Sequence, residues 1–208
     1  ESILDTDPED IPLPLPLPGP DPLPDTDDPE DIPLPPQSLR LPLDGTCLTD
    51  ICNVQRGTYY CHDGLDLNAV VNSPVYAVAD GEIYGYGDLT ADCSLWNGAY
   101  GKWLAVKHQL GAQEIVSSYS HLNSVVVTSG RVTKGQIIAY SGNTGNVFPK
   151  PTVDNPNNGA HLHFGLHVNF VPGCLFRGTP LDPQKWLPEI GWCSGFSGTP
   201  DCRVPVCQ

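Results

Sequence analysis

At 208 residues the chain is long enough for one domain with a sizeable core and some additional sequence. Its formal charge of −14, from 24 acidic and 10 basic side chains, argues against nucleic acid or an anionic membrane surface as the main partner, since both reward clustered Lys and Arg. No uninterrupted apolar run approaches the roughly 18 residues of a membrane helix, so no membrane span is expected.

The charge is uneven. Residues 1–45 carry 12 acids and one base, which leaves 12 acids and 9 bases, or −3, for the rest. Residues 1–38 read as an acidic, Pro-rich, low-complexity tail or linker. It holds an imperfect duplication, Asp5-Thr-Asp-Pro-Glu-Asp-Ile-Pro-Leu-Pro and Asp25-Thr-Asp-Asp-Pro-Glu-Asp-Ile-Pro-Leu-Pro. Proline removes backbone donors and favours polyproline II, and high charge with few aromatics points to disorder. The same strip, lying against the folded part, would instead serve as a pro-segment or docking strip. With no Met and no charged-then-apolar leader, the chain has the look expected of a mature or trimmed export product.

Residues 39–188 read as a mainly β domain. Strands are expected near Gly64–Asn68, Pro74–Tyr86, Trp103–His108, Glu114–His121, Gln136–Ser141 and His161–Val168. Each is a short run rich in β-branched and aromatic residues, and Asp80-Gly81 and Gly111 signal turns. No stretch of ten or more residues has helical periodicity. Residues 189–208 read as a Cys-rich appendage packed on the same domain. The eight cysteines (47, 52, 61, 93, 174, 193, 202 and 207) contain no CxxC pair, so disulfides that staple loops in an oxidising compartment are expected. Eight cysteines permit 105 pairings, and the spacing does not select one.

Four histidines and one aspartate stand out. His62 and Asp66 occur in Cys-His-Asp-Gly-Leu-Asp, His121 in Tyr-Ser-His-Leu, and His161 and His163 in Gly-Ala-His-Leu-His-Phe. Residues two apart on a strand face the same side, so His161 and His163 project into one groove. Two imidazoles and one carboxylate fill three positions of a tetrahedral zinc site and leave the fourth open, as a catalytic metal requires. Gly64 is expected to let the backbone turn so that His62 and Asp66 face one ion. Cys61 is weighed as a fourth ligand, although a disulfide accounts for it better.

At this point the chain resembles the lysostaphin-type (LytM-like) zinc metalloendopeptidases. The resemblance covers about residues 56–170 in the family's order. His62-Asp-Gly-Leu-Asp66-Leu is similar to HxGxD, and Pro74-Val-Tyr-Ala-Val-Ala-Asp-Gly81 to the strand and turn that follow. Tyr119-Ser-His121-Leu is similar to YxHL, Gly135-Gln-Ile-Ile and Ser141-Gly-Asn-Thr-Gly to the GQxI…G.TG stretch, and Gly159-Ala-His161-Leu-His163-Phe to GPHLHF. The resemblance implies an antiparallel β-sheet groove, one Zn²⁺ held by His62, Asp66 and His163, and two further active-site histidines, His121 and His161. Gly165 and His167 depart from the family's usual residues, and the Pro-containing segment 146–158 is longer than usual and is expected beside the groove.

The implied chemistry is metal-assisted peptide hydrolysis, with His121 and His161 orienting or deprotonating water and stabilising the oxyanion. A neutral histidine base predicts activity that falls below about pH 6. The implied substrate is peptidoglycan or a Gly-rich peptide, acted on by a secreted or cell-envelope protein, expected to be a monomer. Three other readings stay open: a protease of elastin-like proteins, a zinc-bearing module that binds wall or partner without cutting, and an enzyme kept latent by its tail.

Overall fold

A computed structural model describes residues 39–51, 62–90, 99–173 and 176–197. The expected tail and Cys52, Cys61, Cys93, Cys174, Cys202 and Cys207 lie outside these residues. Among the described residues eleven strands run in chain order: β1 (Leu48–Asp50), β2 (Leu65–Asn68), β3 (Pro74–Tyr76), β4 (Gly81–Asp88), β5 (Lys102–Leu110), β6 (Gln113–Ser120), β7 (Leu122–Val125), β8 (Arg131–Val132), β9 (Ile137–Ser141), β10 (His161–Val171) and β11 (Arg177–Leu181). The only helical element among the described residues is a 3₁₀ turn at Pro183–Lys185, capped by the Asp182 carboxylate, which accepts from the Gln184 N–H. The regular structure among the described residues is thus almost all antiparallel β-sheet, as the β-branched runs and turn signals indicate.

The larger sheet has the order β1-β2-β10-β6-β5-β4-β8, and β11 adds beside β10; the smaller sheet runs β3-β9-β7. β10 is the spine. One edge pairs with β6, and the other pairs first with β2 and then with β11. This register sets His163 opposite both Asp66 and Ser120.

The alternation along β10 separates two chemistries. Leu162, Phe164 and Leu166 are fully buried, with Leu65, Leu67, Leu104 and Val106 of the neighbouring strands and Val75, Ile138 and Ala139 of the small sheet. Tyr119 ties this layer together: its ring meets Phe164 edge-on at 5.4 Å, and its hydroxyl accepts from the Val78 N–H at 3.2 Å. The opposite face carries His161, His163 and His167.

Some expected boundaries change. The run Pro74–Tyr86 is two strands in different sheets. The backbone leaves the ladder at Ala77, whose N–H donates to Gln136 and whose carbonyl accepts from Gly135, and Asp80-Gly81 then turns into β4. β6 ends at Ser120, because His121 takes φ +59, a left-handed conformation that strands do not use. β1, β7, β8 and β11 have at most five residues each and too little alternation to be read from sequence.

Candidate metal centre and active-site groove

His62, Asp66 and His163 converge at the β2–β10 pairing. The His62 Nε2 lies 3.0 Å from Asp66 Oδ1, and His163 Nδ1 lies 3.1 Å from both of those atoms. Each imidazole is oriented from its far side. The His62 Nδ1–H donates to the Ile51 carbonyl at 2.8 Å, and the His163 Nε2–H donates to Asp63 Oδ1 at 3.0 Å. These outer bonds fix the tautomers and leave two nitrogen lone pairs and a carboxylate oxygen facing one another. Three acceptors that close together repel unless a cation lies between them. Tetrahedral ligands at 2.0–2.1 Å from zinc stand about 3.3–3.4 Å apart, so the trio fits an ion of that size with a small outward relaxation. His62, Asp66 and His163 are the one such group among the described residues.

The titration behaviour carries the same sign. Burial opposes the charged form of His163, but its hydrogen bonds to Asp63 and Asp66 and their charges prevail and push its pKa up to about 10. His62 is likewise raised by Asp66 against the effect of burial. Asp66 is held well below the usual carboxylate range, against burial, by His62, His161 and His163. Without a metal, protons occupy the place of a cation.

His121 and His161 stand beside this trio, their rings 4.5 Å apart. The His121 Nδ1–H donates to the Thr144 carbonyl and the His161 Nδ1–H to the Gly159 carbonyl, each at 2.8 Å, so each ring keeps Nε2 as a free acceptor. His161 Nε2 is 3.7 Å from Asp66 Oδ1. The left-handed backbone of His121 is held by its N–H, which donates to the Tyr100 carbonyl at 2.8 Å. Burial, with the neighbouring His161 and His163, keeps the His121 pKa well below the ordinary value. Gly145 has φ +76, and a Cβ there would meet Gly101 N at 2.4 Å; glycine is what lets the loop carrying Thr144 touch the loop carrying Tyr100.

All five residues line a groove of about 730 Å³. The segment after Gly145 does border it, through Asn146, Val147 and Phe148, and Gly195, Phe196 and Ser197 line it as well. Phe148 is 92% exposed.

Three residues read differently in space. Gly64 has no left-handed φ; a side chain there would place Cβ 2.4 Å from the Phe164 carbonyl oxygen and 3.0 Å from His163 Nε2, so it is close strand approach that demands glycine. His167 shares the parity of His161 and His163 yet is buried, with Nε2 bonded to Ser118 Oγ at 3.1 Å and rings of Phe170 and Phe176 against it. It does not line the groove. Asp63 was not singled out in sequence. Adjacency to His62 was its only signal, and its role emerges when β10 brings His163 to it.

The family model for peptidase family M23 matches residues 60–183. The chain belongs to peptidase family M23. This is a metallopeptidase family, and the lysostaphin-type resemblance and its antiparallel groove fit it. Among relatives of this M23 chain, the DD-carboxypeptidase/endopeptidase Mpg of Neisseria meningitidis is 30% identical over 55% of this chain and 22% of its own length. The peptidoglycan DD-endopeptidase ShyC of Vibrio cholerae is 30% identical over 64% of this chain and 27% of its own. The chain thus spans only about a quarter of the length of these relatives. A zinc-containing peptidase from Vibrio cholerae superposes with a TM-score of 0.53 at 26% identity, covering 73% of this chain and 41% of that one.

Proposed function

We propose that residues 39–188 form a zinc-dependent endopeptidase domain that hydrolyses peptide bonds in peptidoglycan cross-links or bridges. The observation that carries this is the triangle of His62 Nε2, Asp66 Oδ1 and His163 Nδ1, three acceptors facing one another at 3.0–3.1 Å. When bound, the ion supplies Lewis acidity and brings a water's pKa down towards about 7. His62, Asp66 and His163 would hold it, at the wall of the groove where substrate would lie. His121, neutral because burial resists its protonation, accepts a proton through Nε2. His161, beside it and with Nε2 likewise an acceptor, orients the attacking water, and it donates to the oxygen that gains charge only after that nitrogen has taken up a proton. With His121 held low, the fall in activity on acidification moves below the pH of about 6 set by an ordinary histidine.

The peptidoglycan assignment is supported by the M23 relatives, one of which is named as a peptidoglycan DD-endopeptidase. On this reading the protein acts outside the cytoplasm, secreted or in the cell envelope. On this reading residues 1–38 are a tail or linker, and residues 189–208 are an appendage whose Cys193 is bonded to Cys47.

The test is digestion of purified sacculi and of a glycine-rich peptide by zinc-loaded protein, beside a chelated sample. His121→Ala and His161→Ala are each expected to lower kcat/KM by about 10²–10⁴ while zinc content stays at one per chain. Sacculus cleavage lost on chelation supports the reading; cleavage of the glycine-rich peptide alone moves the substrate to proteins. No cleavage of either by zinc-loaded protein, with or without residues 1–36, would overturn the enzyme in favour of a binding module.

A further inference from the structure

Two carboxylates from one short segment grip opposite edges of a single imidazole. Asp66 meets His163 at Nδ1 and Asp63 meets it at Nε2, at 3.1 and 3.0 Å. Asp63 Oδ1 is also the acceptor for the Tyr100 hydroxyl at 2.8 Å. Tyr100 is itself held: its ring stacks on Phe176 with centroids 4.2 Å apart and planes 9° from parallel, and it lies 5.1 Å from the His163 ring. Phe176 belongs to a buried cluster with Trp103, Ala105, Val116 and Phe170. A chain of contacts therefore runs from that cluster through Tyr100 and Asp63 to one ligand nitrogen. A Cβ at Gly64 would stand 3.0 Å from His163 Nε2, so the glycine keeps that nitrogen open to Asp63.

We infer that Asp63 is a positioning residue of the metal centre, held in place by Tyr100, and that it sets zinc affinity by locking His163 with its Nδ1 lone pair toward the ion. The inference rests on the zinc reading above. Asp63 does not reach the ion; it acts through the imidazole. Its negative charge makes that imidazole a stronger donor, and the bond to Nε2–H forbids the other tautomer and a ring flip. The Tyr100 hydroxyl acts one step further out, by keeping the carboxylate oxygen aimed at Nε2.

The experiment is competition for zinc between a chromophoric chelator and the full chain as wild type, Asp63→Asn, Tyr100→Phe and the double variant. Side-chain ¹H–¹⁵N spectra of the zinc-loaded proteins report the His163 tautomer. Asp63→Asn is expected to weaken zinc binding about 10–100-fold, the range seen when such outer partners are removed, and to alter the His163 pattern. Tyr100→Phe should weaken it less, and the loss should vanish on the Asp63→Asn background, because both act along one path. A merely structural role would lower the melting temperature and leave zinc affinity and tautomer unchanged. Affinities within twofold of wild type for both single variants would overturn the inference, as would a Tyr100→Phe loss that persists in full on the Asp63→Asn background. If Asp63→Asn does not fold, Tyr100→Phe decides by the same twofold criterion and the His163 pattern. Wild-type protein that takes up no zinc would instead overturn the parent reading.

Discussion

Gly64→Ala tests whether close strand approach builds the candidate metal centre. The new Cβ would stand 2.4 Å from the Phe164 carbonyl oxygen and 2.9 Å from its carbon, and both are backbone atoms that no side-chain rotation can move. β2 must withdraw from β10 by about 0.6 Å to restore even a 3.0 Å contact. Overpacking of this kind costs about 1–3 kcal/mol, or a fall in Tm of roughly 3–10 °C for a domain of this size. The same displacement separates His62 and Asp66 from His163, so zinc affinity should fall at least about tenfold. Gly191→Ala is the matched control. It has no left-handed φ, and its Cβ would meet nothing within 4 Å, so its effect should stay within about 0.5 kcal/mol. Calorimetry of metal-free and zinc-loaded protein, with zinc competition, reads both effects. Equal Tm and equal zinc affinity for the two alanine variants would refute the reasoning.

Acid should destabilise the metal-free protein through its buried neutral histidines. Burial depresses His167 to about 4 from 6.5, so its contribution, up to about 3 kcal/mol, is present above pH 6.5 and lost as pH falls toward 4. His167→Gln should flatten the loss of Tm between pH 7 and pH 4.5, leaving the share of His121 and His108; an unchanged slope would count against it. His163, raised to about 10, has the opposite sign: its contribution is present below pH 6.5 and lost as pH rises toward 10, so alkaline scans of metal-free protein should also show weakening. The Cys47–Cys193 disulfide closes a sequence separation of 146 residues, for which chain entropy gives a ceiling of about 5 kcal/mol. Cys47→Ser with Cys193→Ser should lower unfolding stability by about 2–5 kcal/mol, and loss of the pinned segment that carries Phe196 should raise KM more than it lowers kcat. Denaturant midpoints and kinetics of the double variant check both parts.

Much of the fold was legible because a half-buried strand writes its geometry into alternation. His161 and His163, two apart on β10, had to share a face, and the ordered motifs from His62 to His163 identified the antiparallel groove and its family. Parity, however, says which side a residue faces and not what covers that side. His167 shares the face of His163, but Phe170 and Phe176 close over it, and those rings meet it only once β10 and the segment before β11 fold together. The reason for Gly64 was invisible for the same cause, since the Phe164 carbonyl that forbids a side chain comes from a strand about a hundred residues away. The Cys47–Cys193 pairing was one choice among many until β1 bonded to the segment around Trp192, through Leu48 and Gly191. Sequence thus determined which donors were available and on which face they stood. The tertiary fold alone decided which lone pairs converge, because carbonyls of Ile51, Thr144 and Gly159 and the carboxylate of Asp63 orient the four imidazoles, and backbone acceptors carry no sequence signature.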